Sequence, residues 1–129
     1  VDDSRWPILV VTQLAEQLTD AERMDSLDRS NQVLIAHGSE RYAMVLDNRR
    51  AGPVPPTQRK LIADYMARHA TRSRTRCACT AFVSDSAVMR AMLTAITWLR
   101  KPEVETKVFG RLDEAITWAR AQLDSRGLS

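Results

Sequence analysis

The stretch Thr80–Lys101, TAFVSDSAVMRAMLTAITWLRK, decides the fold. A β-rich run at Phe82-Val83 breaks at Ser84-Asp85-Ser86 and passes directly into a strongly apolar helix. That is the strand–turn–helix step of a parallel α/β sheet, in which each strand is followed by a crossover helix. The turn carries no glycine cradle, nucleophile elbow or metal-ligand cluster. It fixes an architecture without fixing a chemistry.

Working outward, Cys77–Ser84 is the strand of this unit and Ala87–Leu99 its helix. Lys101-Pro102 ends the helix, because the residue before proline avoids helical dihedrals. Beyond it, Thr106–Phe109 reads as a short edge strand. Leu112, Ala115, Ile116, Ala119 and Leu123 then make the apolar stripe of a final amphipathic helix. Upstream, Ile8-Leu9-Val10-Val11 within Pro7–Gln13 is apolar at every position, as in a strand covered on both faces. Thr19 with Glu22 three residues on forms a capping box, and Met24, Leu27, Asn31, Leu34 and Ile35 share one helical face. That helix closes near His37-Gly38, where glycine can take the left-handed conformation. Tyr42–Asp47 is the next strand and Arg49–Pro56 a loop broken by prolines. A helix starts at Pro56-Thr57, with Leu61, Ile62, Tyr65, Met66 and His69 as its buried face. It is expected to dissolve in Thr71–Arg76, where Arg alternates with Thr or Ser and no apolar stripe exists.

The expected fold is therefore α/β: one βαβαβαβα domain with its core over residues 7–124. Four strands form a mainly parallel sheet, with right-handed crossovers and helices on both faces. The length of 129 residues and a hydrophobic fraction of 44% suit one globular core. No apolar run reaches the ~18–20 residues that span a bilayer. The start, Val1-Asp2-Asp3-Ser4, lacks the pattern of a signal peptide, so a cytoplasmic protein is expected.

Charge is unevenly spread about a net +3. Residues 1–40 are acidic and residues 47–76 basic, which reads as two faces attracting each other within the fold rather than a site for a charged partner. Cys77 and Cys79, two apart on a strand, are expected on one face as buried free thiols. With only His37 and His69 as further soft ligands, no metal site is expected. The Rossmann and P-loop patterns are absent, and so is the acid cluster of a phosphorylated receiver domain.

Ligands of open parallel sheets bind beyond the carboxyl ends of the strands. That edge carries Gln13, Asp47-Asn48-Arg49-Arg50, Ser84-Asp85-Ser86 and Gly110-Arg111. Asp47 and Asp85 could pair for acid–base work, yet each has a local task, Asp47 in its turn and Asp85 or Ser86 as a helix cap. Arg68, Arg72, Arg74 and Arg76 could meet phosphates, but no aromatics are interleaved and no nucleic-acid motif accompanies them. No cofactor and no specific nucleic acid are expected. The helix Ala87–Leu99 departs furthest from routine: Val88, Met89, Met92, Leu93, Ile96, Trp98, Leu99 and three alanines leave only Arg90, Thr94 and Thr97 polar. Burial is the ordinary explanation of so wide an apolar arc. A flank left for a partner protein, a copy of the chain included, is the alternative. That functional reading names Met92, Trp98 and Leu99, with the adjoining turn residues Asp85 and Ser86, as candidate partner-binding positions.

Several stretches together resemble a known family: LTDAE at Leu18–Glu22, RYAMVLD at Arg41–Asp47, TAFVSDS at Thr80–Ser86, LTAITWL at Leu93–Leu99, and VFGRLDEAITWA at Val108–Ala119. They are similar to small bacterial STAS-like proteins, relatives of the anti-sigma-factor antagonists. The resemblance implies a compact regulatory or protein-interaction module in bacterial signalling, without enzymatic activity of its own. The wider superfamily includes the CRAL-TRIO lipid-transfer fold, so carriage or sensing of a small apolar ligand is the second implied function. Phosphoswitch antagonists carry a Ser or Thr at the start of a helix after a central strand. Thr57 is the counterpart position here, although the Asp-Ser-Ser-Gly-like motif is missing.

Overall fold

A computed structural model describes residues 1–13, 18–50, 55–99 and 104–125, without the side chains of residues 73, 74, 93 and 96–99. Its elements run β1 (Asp2–Arg5), β2 (Ile8–Thr12), α1 (Asp20–Ala36), β3 (Tyr42–Asp47), α2 (Pro56–Arg68), α3 (Ala70–Arg76), β4 (Cys77–Val83), α4 (Ala87–Leu99), β5 (Glu105–Phe109) and α5 (Leu112–Ser125). The five strands form one sheet in sequential order. β2 to β5 are parallel, and β1 pairs antiparallel with β2 through Asp2 opposite Val10 and Arg5 opposite Ile8.

The sheet thus has one strand more than the sequence pattern suggests. β1, Asp-Asp-Ser-Arg, is exposed at all four positions, so it carries no apolar alternation to read. It is an edge strand held by backbone pairing, and charged side chains are what such edges tolerate.

Alternation along the strands divides the core. Ile8, Val10, Ala43, Val45, Ala81 and Val83 turn to one face, where Ala115, Ala119 and Leu123 of α5 cover them. The two alanines, fully buried, let α5 approach the sheet closely. Leu9, Val11 and Tyr42 turn to the other face and meet Leu34 of α1, with Met44 and Leu46 partly buried beside them. Helices on both faces follow from this split. The α1 capping box forms as its sequence requires: Glu22 N donates to Thr19 Oγ1 at 3.1 Å, and Thr19 N donates to Glu22 Oε1 at 3.0 Å. Gly38 takes a φ of 64° just beyond the helix end, the left-handed conformation for which glycine has no steric penalty.

Three expectations need correction. α3 is helical over Ala70–Arg76, where dissolution was expected. It is held by guanidinium contacts instead of an apolar stripe: Arg72 Nη1 donates to Asn31 Oδ1, Arg76 Nε donates to the Glu40 carbonyl at 2.8 Å, and the Arg76 guanidinium lies 5.4 Å from the centroid of the Tyr42 ring. Cys77 and Cys79 do not share a face. Tyr42 pairs with Cys77 and Ala43 with Cys79, so an extra residue bulges β4 and sends Cys77 to the α1 side and Cys79 to the α5 side. Both are thiols rather than halves of a disulfide. Met66 and Ile35, read as helix-face residues, are 63% and 62% exposed. Among the described residues the Arg–carboxylate pairs are local, as in Arg29–Asp25 and Arg111–Asp113, so any attraction between the acidic 1–40 segment and the basic 47–76 segment acts without a direct ion pair.

Candidate functional site

The carboxyl ends of the strands form a cleft of about 410 Å³, whose lining includes Arg5, Thr12, Asp47, Arg49, Arg50 and Asp85. Sequence reasoning placed Asp47 and Asp85 at this edge, and the structure brings both to its rim. Their tasks differ. Asp47 is buried, and its two oxygens accept from Arg49 Nε at 2.9 Å and Nη2 at 2.8 Å. The Arg49 hydrogen bond holds the Asp47 carboxyl below its ordinary pKa. A carboxylate committed in this bidentate way is a turn fastener, poorly suited to taking up a proton. Asp85 is exposed. Ser86 Oγ accepts from Met89 N at 3.2 Å and so caps α4, while Ser84 Oγ accepts from Ser86 N at 3.3 Å.

Gln13, at the same edge, joins a polar clasp. Arg23 donates to Gln13 Oε1 at 3.1 Å and to Gln58 Oε1 at 3.3 Å, and Gln58 Nε2 donates to the Leu18 carbonyl at 2.6 Å. This ties α1 and α2 to the end of β2. Thr57 lies exposed in the first turn of α2, where no side chain caps the helix. Helix amides in that position favour an anionic group. Among the described residues no three His, Cys, Asp or Glu side chains converge as a metal site.

The basic segment is used structurally. Arg72 and Arg76 hold α3 against α1 and β3, and Arg76 is 9% exposed. Asn31, an amide on an otherwise apolar helix face, is the acceptor for Arg72. His69 packs on Tyr65 with ring centroids 4.5 Å apart. Burial, then Arg72 and Arg68, push its pKa down.

The feature with most functional content is the orientation of α4. Its polar stripe faces inward: Arg90 Nη1 donates to the Ser84 carbonyl at 2.8 Å, and Thr94 is half-buried over β5. Gly110 leaves room for this, since a Cβ there would lie 3.3 Å from Arg90 Nη1. The opposite arc is apolar and faces solvent. Val88 is 80% exposed, Met92 49% and Met89 40%, with Ala87, Ala91 and Ala95 exposed beside them. Ordinary burial of this arc, the routine explanation of its composition, therefore fails for these residues. Met92 is accessible, whereas the side chains of Trp98 and Leu99 lie outside the described residues. Sequence reasoning saw the width of the arc but not its direction, because Arg90 could equally have been read as solvated. Gly110 opposite Arg90 is the signal that was overlooked.

No protein-family model matches the chain, and no curated protein matches it in sequence. In structure it is similar to an uncharacterised protein of the DUF3478 family from Shewanella loihica PV-4, which has a SpoIIAA-like fold. The TM-score is 0.62 over 87% of this chain and 82% of that one, at 12% sequence identity. The fold is SpoIIAA-like. The STAS-like architecture expected from the sequence is thus present, with the antiparallel β1 added to four parallel strands. Among the described residues no helix is long and apolar enough to cross a membrane.

Proposed function

We propose that this chain is a non-enzymatic, STAS-like regulatory module that acts in the bacterial cytoplasm by binding another protein through the outward face of α4. One observation carries the reading: Arg90 and Thr94 turn toward the sheet while Val88, Met89 and Met92 face solvent. An apolar arc in this position raises the free energy of the solvated chain and is lowered by a covering surface. Methionine suits such a surface, being enriched at interfaces and able to adapt its shape. The cleft at the strand ends supports the non-enzymatic part, since Asp47 is occupied by Arg49 and Ser86 by the α4 cap.

The test is a photo-crosslinking amino acid at position 92, used in cells of the native host. The reading expects one adduct of defined mass that disappears when Val88→Asp is added. No adduct, or an adduct indifferent to Val88→Asp, contradicts it.

The second reading, a carrier of a small apolar ligand, has one observation in its favour. A groove of about 440 Å³ runs between α4 and β5, lined by Arg90, Ala91, Thr94, Ala95 and Val108. Ligand sites begin at roughly 300 Å³, but they bury most of an apolar ligand among apolar walls. Here Arg90 and Thr94 stand in the wall. Extraction of the purified protein followed by mass spectrometry separates the readings, a stoichiometric lipid supporting the carrier.

A further inference from the structure

The face of α4 adjoins an unfinished sheet. β5 is the last strand in the order, and among the described residues nothing pairs with its outer side. The phase of that outer side follows from one hydrogen bond. The Phe109 carbonyl accepts from Ser84 N at 3.0 Å, so the backbone groups of Phe109 point toward β4. N–H and C=O of one strand residue point the same way and alternate along the strand. Within β5, Glu105 and Lys107 therefore bond inward, while the backbone groups of Thr106 and Val108 aim outward. The Thr106 hydroxyl donates to the Val104 carbonyl at 2.8 Å, which leaves that carbonyl a second lone pair.

We propose that the partner of this surface is a second copy of the same chain, joined antiparallel along β5 into a continuous ten-stranded sheet. The proposal rests on the protein-binding reading of α4 and names its partner. Charge selects both occupant and register. With Thr106 opposite Thr106 of the second copy, each Glu105 stands opposite Lys107 across the axis, twice, and Val104 faces Val108. Opposite charges and Thr–Thr pairs in facing positions stabilise antiparallel strands. A shift that centres the axis on residue 107 sets lysine against lysine, and one centred on residue 105 sets glutamate against glutamate, both disfavoured. The strand is complementary to itself in one register alone of these three. Thr106 then forms the hydrogen-bonded central pair, since its N–H and C=O already face outward. The two-fold axis stands perpendicular to the sheet, so the faces are preserved. Both α4 helices, each packed on β5, come onto the same face of the joined sheet, with Val88 and Met92 exposed on them.

Sedimentation equilibrium on the full chain tests this, with far-ultraviolet circular dichroism confirming that each variant folds. The wild type is expected to be a dimer. Lys107→Glu alone and Glu105→Lys alone each put like charges opposite and raise the dissociation constant about tenfold or more. The two changes together restore it. Thr106→Pro removes only an outward N–H, which an edge strand tolerates, so the chain stays folded and becomes monomeric. A monomeric wild type at about 100 μM, well above micromolar affinities, overturns the proposal. So does a dimer that survives Thr106→Pro. A dimer broken by Val88→Asp but indifferent to the β5 variants overturns edge pairing and spares the α4 reading. Self-pairing that depends on β5 but not on Val88 or Met92 sinks the α4 reading, and with it the partner assigned to that face.

Discussion

An inward polar stripe and an outward apolar arc on α4 should invert the usual mutational pattern of a helix. Full burial of a Val or Met side chain stabilises by about 1.5–3 kcal/mol. Val88 keeps about a fifth of its surface from water and Met92 about half, from exposures of 80% and 49%. Val88→Ser should then cost about 0.5 kcal/mol and Met92→Ser about 1 kcal/mol, by scaling that burial energy. Arg90→Ala removes the 2.8 Å charged hydrogen bond to the Ser84 carbonyl, and such bonds are worth about 1.5–3 kcal/mol. The polar residue should therefore be the costlier one to lose. At roughly 4 °C per kcal/mol for a domain of this size, Arg90→Ala lowers Tm by about 6 °C or more, and Val88→Ser by about 2 °C. Thermal and urea melts at low micromolar concentration, where association contributes little, give the comparison. If Val88→Ser and Met92→Ser each lower Tm more than Arg90→Ala, the helix is seated the other way and its apolar arc is core.

Three further outcomes follow from the same geometry. Leu34→Ala should destabilise by about 2–5 kcal/mol, since Leu34 is the buried anchor of α1, whereas Ile35→Ala should stay within about 1 kcal/mol; urea melts of both decide. Asp47 has a folded pKa below its ordinary 3.8, so its contribution is full above that value and is lost as pH falls through the lower folded one. Between pH 6 and pH 2 the wild type should therefore lose more stability than Asp47→Asn, measured by urea midpoint; equal losses would count against the Arg49 pairing. Binding to duplex DNA should remain non-specific, with a dissociation constant of roughly 10⁻⁶ to 10⁻⁴ M at physiological salt, because Arg72 and Arg76 are already engaged. Fluorescence anisotropy showing submicromolar binding would contradict that assignment.

How far the sequence could be read depended on which force held each element. Where burial set the pattern it was legible: β3 spans Tyr42–Asp47 and α4 spans Ala87–Leu99 as expected, and the α5 stripe buries Ala115, Ala119 and Leu123. Where polar or backbone interactions carried an element, the pattern was silent. β1 pairs through its backbone and adds only exposed polar contacts such as Asp3 with His37, and α3 is fastened by two arginines whose partners, Asn31 and the Glu40 carbonyl, lie more than thirty positions away. The bulge at the start of β4 defeated simple alternation for Cys77 and Cys79 because one extra residue reverses every direction after it. At the candidate site, composition gave the width of the α4 arc, but its direction depends on Arg90 reaching Ser84 across the space left by Gly110. The sequence shows the glycine, but that Arg90 lies opposite it appears only in the fold.

The central claim is that the apolar face of α4 is open in the isolated chain and covered in its working assembly. Peroxide oxidation of Met92 and Met89, followed by peptide mass spectrometry, reads both states directly, since thioether oxidation follows exposure. Dilute, isolated protein should oxidise at Met92 at a rate close to that of an unstructured methionine peptide, and several-fold more slowly once assembled at high concentration or with its partner. Protection of Met92 even in dilute monomer would place the arc in the core, and equal oxidation in every state would leave it without a partner.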